Sequence, residues 1–403
     1  MKRILKASTI LIIAAGLLIT LSRCSNRQFD NLNQEMEYLV SGLVQEDSSI
    51  RNSVLSVMKG DGSFSWSGAA GIASQDGQVP MTKDTPIYIA SVTKLYTATV
   101  IMRLYEKGAL SLDDPISKYL PEKLIRGIHV YKGEDYSHEI TVRELLSHTS
   151  GIADYYTQKS KEGKNLFELF LEDRERSWTV DEAIERARRD LRPNFQPGKG
   201  VSYSDTNFQL LGKVIEAITG KPLHTVYEDF IFRPLGLKRT WLIGYSELQL
   251  VSSVAPADIF YKDMNITKTR SNGAFWADGG IVSTVEEMII FLKALNEGRI
   301  VNGETLKLMH TWQKMQFPIQ YGYGTMYFEL PRFLNMVMKV PPLWGHSGST
   351  GSFLYYSEDM NLYIAGSINQ VESQSKPFRL MIRVMKAIES KMQVQQSNNA
   401  NRS

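Results

Sequence analysis

Hydrophobic and polar positions alternate with period two near both ends of the chain and follow a helical period between them. In "SVLSVMKGDGSFSWSGAAG" (53–71) the alternation runs around an Asp-Gly turn, which predicts a β-hairpin. From Ser91 to Lys107 the spacing is helical, with Gly108 as its C-terminal cap. Val92, Leu95, Ala98, Ile101, Met102 and Tyr105 cover more than one stripe, so this helix is expected to be buried on most sides. "TVRELLSH", "TVDEAIERARRDL" and "STVEEMIIFLKALNEG" each open with Ser or Thr followed by acids, as helix N-termini do. Towards the end, "LWGHSG", "GSFLYYSE" and "NLYIAGSIN" return to period two and read as successive strands. "PFRLMIRVMKAIESKM" then closes the pattern as a helix. The simplest assembly is an α/β unit whose sheet uses both chain ends, with a mostly helical region inserted at roughly 109–300. No repeat or linker divides residues 36–392, which are expected to form one intertwined domain.

The two termini break this pattern. "MKRILKASTILIIAAGLLITLSRC" has a basic start and an apolar run from Ala7 to Ser22. That predicts an export signal or anchor over 1–23, shorter than the about 20 residues of a spanning helix. The single cysteine, Cys24, follows directly and resembles the lipidation site of a bacterial lipoprotein, although Arg23 stands where a small residue is usual. Residues 24–35 read as a polar tether and 393–403 as a disordered tail. The expected location is the bacterial cell envelope, facing the periplasm or the outside, with the membrane reached through this N-terminal lipid or anchor. One cysteine excludes an intramolecular disulfide, so the core must hold the fold.

Charge narrows the partners. Of 46 basic and 43 acidic residues, four basic ones (Lys2, Arg3, Lys6, Arg23) and no acid lie in the leader, so the remainder carries −1. A sequence-general nucleic-acid binder needs a basic excess to displace counterions, and none is present.

Candidate chemistry centres on "IYIASVTKLYT" (87–97), where Ser91 and Lys94 stand at the mouth of an apolar segment. Ser-x-x-Lys occurs three times, at Ser56–Lys59, Ser91–Lys94 and Ser373–Lys376. Ser56 lies in the hairpin, where residues three apart face opposite sides, and Ser373 lies in a polar loop before Pro377. Only Ser91 opens a helix, where positions three apart share a face and the amine can approach the hydroxyl. The helix N-terminus favours an alkoxide, and burial lowers a lysine's pKa towards that of a usable base. On this stretch alone, Ser91 as a helix cap and Lys94 as a snorkelling residue is the favoured reading, since caps are far commoner than nucleophiles.

Two distant segments change the balance. "VSYSDTNFQLLGKVIEAITG" (201–220) sets Tyr203, Ser204 and Asp205 before a helix-like run, and "LWGHSGSTGSF" (343–353) sets His346, Ser347 and Gly348 beside a strand. In this order and separation the three segments resemble the signature motifs of the serine β-lactamase and penicillin-binding-protein superfamily. They are most similar to its branch of class C β-lactamases, DD-peptidases, D-aminopeptidases and esterases. "LLSHTSGI" (145–152), "NFQPGKGVSYSDTN" (194–207), "PLGLKRT" (234–240), "GGIVSTVEEM" (279–288) and "YGYG" (321–324) extend the likeness over roughly residues 40–390.

The resemblance implies a β-lactamase/transpeptidase-like fold, α/β (α+β), with an antiparallel sheet flanked by helices. It implies a serine hydrolase without cofactor or metal, in which Ser91 attacks a carbonyl to form an acyl-enzyme. Lys94 and Tyr203 would share the proton handling, the lysine ammonium lowering the phenol pKa. His346 completes the implied catalytic set. Backbone N–H groups of Ser91 and Ser349 would form the oxyanion hole. Asp205, Ser347 and Gly348 would contact substrate, Gly348 admitting close approach of its backbone. The acyl donor would be a small molecule or peptide, peptidoglycan fragments included.

Two departures bear on substrate. β-Lactamases of this branch usually carry lysine where His346 stands, and histidine is charged only part of the time near neutral pH. Asp205 replaces an asparagine that donates to a substrate carbonyl; a carboxylate only accepts, and would suit an amine or hydroxyl or hold Lys94 charged. Both argue against an efficient β-lactamase and are compatible with an esterase, a D-amino-acid peptidase, a DD-carboxypeptidase or an acyltransferase using an alcohol or amine. A non-catalytic penicillin-binding or ligand-sensing module would have no need of Ser91, Lys94, Tyr203 and His346 together. "GHSGS" (345–349) lacks the last glycine of a nucleophile elbow, and the six histidines show no zinc spacing. His148 is read as a structural turn, and Trp276 and Tyr323 as core.

Overall fold

The computed structural model describes residues 29–246, 255–371, 373 and 375–400. The leader 1–23 and Cys24 therefore lie outside the described residues.

Two chain ends build one sheet, as the period-two segments require. The N-terminal part supplies β1 (Asn52–Lys59), β2 (Ser65–Ser74) and β3 (Val79–Pro80). The C-terminal part supplies β4 (Gln313–Gln316), β5 (Ile319–Tyr321), β6 (Met326–Phe328), β7 (Leu343–Ser347), β8 (Phe353–Ser357) and β9 (Leu362–Ser367). Their order is β4-β5-β6-β7-β8-β9-β1-β2-β3, and the paired neighbours are antiparallel. The β1–β2 hairpin turns at Asp61, whose carboxylate accepts the Ser63 amide at 2.9 Å, and Gly62 takes the left-handed φ of 75° that the turn needs.

Alternation along each strand feeds a core on either face. Leu354, Tyr356, Tyr363 and Ala365 point into the larger core shared with the helical insertion. Phe353, Tyr355, Leu362 and Ile364 point the other way, under α1 (Leu32–Glu46) and the closing helix (Ser375–Ala400). Before the insertion comes α2 (Thr93–Glu106), and the insertion holds α3 (Val142–Leu146), α4 (Val180–Asp190), α5 (Asp205–Thr219) and α6 (Val285–Asn296), among other pieces. Thr141 and Thr179 close reciprocal capping boxes with Glu144 and Glu182, and Thr284 caps α6 through the Glu287 amide. After β6 comes α7 (Arg332–Met338), and the closing helix is α8.

Three boundaries differ from expectation. The tether gives way to helix at Leu32, because Asn31 caps it through the Gln34 amide and Met36, Leu39 and Val40 bury one face. The tail expected from 393 continues α8 to Ala400, since each further residue adds a bond to a helix already nucleated by packing. Pro377 is tolerated because the first turn has no amide partner to lose. At the other site, a 3-10 turn (Ala90–Val92) precedes α2, so Ser91 sits on the turn rather than in the helix, and its side chain caps nothing. Gly108, at φ 67°, follows α2 as predicted. No helix of the described residues is long and apolar enough to cross a membrane.

Candidate active site

Ser91 follows Ala90, which is held at φ 46°, a left-handed conformation that L side chains rarely adopt. The turn is fixed from outside by the β7–β8 connection. Thr350 Oγ1 donates to the Tyr88 carbonyl at 2.8 Å and Ser352 Oγ to the Ile89 carbonyl at 2.7 Å. Gly348 lies so close that a Cβ there would stand 2.4 Å from the Ile89 carbonyl oxygen and 2.2 Å from Ser352 Oγ. The close approach that requires this glycine is therefore made by the chain's own backbone, and Gly348 also lines the cleft, where the resemblance implied contact with substrate. Thr350 and Ser352 were not singled out in the sequence, because hydroxyl residues in a Gly-Ser-Thr turn look like ordinary loop.

One helical turn after Ser91, Lys94 is completely buried. Its Nζ donates to Ser91 Oγ at 3.2 Å, to the Asp278 carbonyl at 2.8 Å and to the Asp205 carboxylate. Three donors meet three acceptors, as an ammonium allows. Burial acts to depress the lysine pKa, but the Asp205 and Asp278 carboxylates outweigh it and hold Lys94 above its ordinary value. This corrects the expectation of a lysine already lowered to a base. Asp205, the replaced asparagine, takes the third of its expected roles and keeps Lys94 charged.

Tyr203 is placed beside the pair, but with its ring rather than its hydroxyl towards the ammonium: Nζ lies 4.9 Å from the ring centroid. Burial first, and then the Asp205 charge, push its phenol pKa well above the ordinary value, with Ser91 opposing. The expected lowering by Lys94 is thus reversed, and Tyr203 is a neutral phenol. Its buried hydroxyl holds no hydrogen bond of good geometry among the described residues.

His148 packs on this tyrosine, ring centroids 4.3 Å apart, and takes a left-handed φ of 57°, as a structural turn should. Its Nδ1 accepts from the Ser204 amide at 3.2 Å and faces Asn207 Nδ2 at 3.0 Å. Burial, with Lys94 and His346 adding to it, holds it far below the usual imidazole range. His346 is also fully buried and does not line the cleft. Its Nδ1 meets the Ser347 carbonyl at 2.7 Å, so Nδ1 carries the proton and Nε2 accepts from Tyr321 Oη at 3.0 Å. Burial, then the Lys94 charge, press its pKa down to about 3. The partly charged histidine expected from the sequence is instead a neutral one, set 6.4 Å from the Tyr203 ring centroid.

Two further carboxylates complete the buried cluster. Asp278 accepts from Tyr155 Oη at 2.5 Å, Gln209 Nε2 at 3.0 Å and the Trp276 amide at 3.0 Å. Burial and the neighbouring Asp205 charge raise its pKa to about 7. Asp154 accepts the Asp205 amide at 3.0 Å, and burial with the same charge lifts it to about 6. It serves as the missing cap of α5, since Ser204 supplies no side-chain cap. Neither was singled out in the sequence; an acid inside an otherwise apolar stretch, "GIADYY" or "FWADGG", was the available signal.

A cleft of about 430 Å³ opens over this cluster. Ser91, Tyr203, Asp205, Ser347, Gly348 and Ser349 all line it, so both residues proposed to supply oxyanion amides face one cavity. Ser347 Oγ also bonds Tyr355 Oη at 2.8 Å. The remaining wall is mainly apolar, including Ile243, Ile259, Ile266, Phe275 and Val371. Asp205 and Asp278 are its charged residues; no lysine or arginine lines it among the described residues. Trp276 and Tyr323 are buried and stay in the core. The other two Ser-x-x-Lys matches come apart: Ser56 bonds Ser67, Lys59 the Met360 carbonyl, and Lys376 pairs with Asp47.

Comparison with known proteins agrees with this arrangement. Penicillin-binding protein 4 of Amycolatopsis lactamdurans is 25% identical over 313 residues, 72% of this chain and 72% of that protein. Esterase EstB of Burkholderia gladioli is 33% identical over 176 residues, 42% of each. The crystal structure of a D-stereospecific amidohydrolase from Streptomyces sp. superposes with a TM-score of 0.68 at 28% identity, covering 86% of this chain and 97% of that one. The sequence model of the Beta-lactamase family matches residues 40–384. With most of its length inside that match, Ser91 and Tyr203 on one cleft, and Lys94 buried against Ser91, this chain belongs to the beta-lactamase family, within its penicillin-binding-protein-like relatives.

Proposed function

We propose that the protein is a serine hydrolase that forms an acyl-enzyme on Ser91 and acts on esters or amides whose acyl part is apolar and bears no carboxylate. The observation that carries this is the 3.2 Å contact between Lys94 Nζ and Ser91 Oγ, made in a cleft whose described wall is apolar and holds no cation. A β-lactam or a DD-peptide presents a carboxylate, for which this wall offers hydroxyls but no lysine or arginine among the described residues. An ester, or the amide of an amino acid with a free ammonium facing Asp205 and Asp278, suits it better. Two of the proteins it is similar to carry names of this kind, an esterase and a D-stereospecific amidohydrolase, while another is named a penicillin-binding protein.

In acylation the Ser91 proton passes to Lys94 as Lys94 yields one to Asp205, so Lys94 remains an ammonium, Asp205 becomes a neutral acid, and the negative charge moves to the carbonyl oxygen as Oγ bonds the carbonyl carbon. The neutral Tyr203 hydroxyl is suited to protonate the leaving oxygen or nitrogen. Water, or an alcohol or amine in an acyl-transfer variant, then attacks the ester.

Intact-mass measurement with a fluorophosphonate tests this. Wild type should gain one adduct, Ser91→Ala none, and Lys94→Ala should react on the order of 10³-fold slower. An alkyl ester and a D-amino-acid anilide should turn over, and penicillin should label poorly. An adduct that persists in Ser91→Ala would move the nucleophile elsewhere. Absence of any adduct in wild type would leave a binding module.

A further inference from the structure

Tyr203 is gripped on both sides of its own backbone by a single residue. The His148 carbonyl accepts the Ser202 amide at 3.0 Å, and His148 Nδ1 accepts the Ser204 amide at 3.2 Å. Between these two bonds the imidazole lies on the Tyr203 ring, centroids 4.3 Å apart. The imidazole is itself boxed in, with the Tyr321 and Phe208 centroids 4.5 Å and 5.3 Å away. Ser150 Oγ donates to Asn207 Oδ1 at 2.7 Å, which turns Asn207 Nδ2 towards His148 Nδ1 at 3.0 Å. Nδ1 is therefore an acceptor and the proton sits on Nε2. Nε2 is buried and has no hydrogen-bond partner among the described residues, so this histidine relays no proton to Ser91, Lys94 or Tyr203.

Folding alone does not call for a histidine here. At φ 57° an asparagine would fit at least as well, and its Oδ1 would stand where Nδ1 stands. What only the histidine brings is the ring, and the ring meets Tyr203. The Tyr203 hydroxyl holds no hydrogen bond of good geometry among the described residues, so contacts along the ring must set the direction of the phenol. Those contacts are His148, Tyr321 edge-on at 5.8 Å and 85°, and Lys94 Nζ at 4.9 Å from the centroid.

We propose that His148 is a positioning residue for Tyr203: its ring aims the phenol hydroxyl at the leaving group, while its carbonyl and Nδ1 fix the backbone on either side. A hydroxyl that swings away can no longer give its proton as the C–O or C–N bond breaks, so leaving groups that need that proton depend on His148 most. This rests on reading Ser91 as the nucleophile and Tyr203 as the acid that protonates the leaving group.

The test compares ethyl butyrate with p-nitrophenyl butyrate, which give the same acyl-enzyme; ethoxide needs a proton to depart and p-nitrophenolate does not. In His148→Asn, folded by circular dichroism, kcat/KM should fall about tenfold or more for the ethyl ester and less than about threefold for the p-nitrophenyl ester. Fluorophosphonate labelling of Ser91, in which fluoride departs as an anion, should also slow less than about threefold. Tyr203→Phe should show the same selectivity at full size, and adding His148→Asn to it should lower the ethyl to p-nitrophenyl ratio no further. His148→Phe keeps the ring but strands the Ser204 and Asn207 amides; it should be less stable yet hold the wild-type ratio, and it decides alone if His148→Asn does not fold. Equal losses for the two esters, a ratio that falls again in the double variant, or a lowered ratio in folded His148→Phe would each overturn the positioning role. If Tyr203→Phe leaves the ratio unchanged, the acid reading of Tyr203 falls and this role with it. Wild type that gains no fluorophosphonate adduct and cleaves neither ester would overturn the acyl-enzyme reading itself.

Discussion

Lys94 makes three hydrogen bonds in a site without water-like dielectric, so its charge depends on which anions surround it. Asp205 is the group that decides. Asp205→Asn removes the nearest negative charge, leaves burial less opposed, and so lowers the Lys94 pKa. With no carboxylate to take a proton from Lys94, the ammonium must itself titrate before it can accept from Ser91, so the acid limb of kcat/KM for an ester substrate should move to higher pH. Breaking the buried pair should also cost about 3 kcal/mol of stability at neutral pH. Both are read from a pH–rate profile and urea denaturation of the variant. An unshifted limb in a folded variant would mean that Asp205 does not govern the lysine. Ser91 and Lys94 were legible from spacing, since residues three apart on a helical turn must share a face. Their protonation was not, because Asp205 lies 111 positions away and Asp278 184.

At the scale of elements, the catalytic turn is shaped by a strand connection that is distant in sequence. Gly348→Ala would push a methyl into the Ile89 carbonyl and Ser352 Oγ, shifting the 3-10 turn that carries Ser91. The expected result is a fold that persists, with kcat for ester hydrolysis reduced about tenfold or more and KM changed less. Circular dichroism and steady-state kinetics separate the two; unchanged kcat would show that the turn tolerates the shift. By contrast, Thr179→Ala removes a local capping box on α4 and should cost about 1 kcal/mol in urea denaturation without altering acylation of Ser91. Such caps were readable because they depend on residues three apart. The cap of α5 was not, because its acceptor, Asp154, comes from 51 residues upstream.

For the whole molecule, buried titratable groups set the pH range of stability, and they pull in opposite directions. His346 and His310, lowered to about 3 and about 4 by burial, and His148, lowered further than its ordinary range, stay neutral when folded. The unfolded chain protonates them below about 6.5, so their contribution is complete above that pH and is lost on acidification. Asp154 and Asp278, raised to about 6 and about 7, act with the reverse sign: the unfolded chain ionises them from about 3.8, so they remove stability as pH rises. Between pH 4 and 6 three groups oppose two, a net uptake of about one proton on unfolding that favours the folded state at higher pH. His129, shifted the same way as the other histidines, adds to it. Stability should therefore peak near pH 6.5 and fall towards 4.5, and His310→Gln should remove one proton's share of the slope. Urea titrations at pH 4.5, 5.5 and 6.5 check this; a flat profile would contradict the buried neutral histidines.

Local order along the chain was enough to specify the period-two strands at both ends, the capped helices between them, and Ser91, Lys94 and Tyr203 as the groups to be gathered. Each follows from side-chain direction over a few residues, or from motifs in a fixed order. Long-range assembly settled the rest: Lys94 is charged, Tyr203 and His346 are neutral, and Gly348 makes room for the chain itself. Those properties come from burial and from charges and backbone brought together across the chain, which no local pattern encodes.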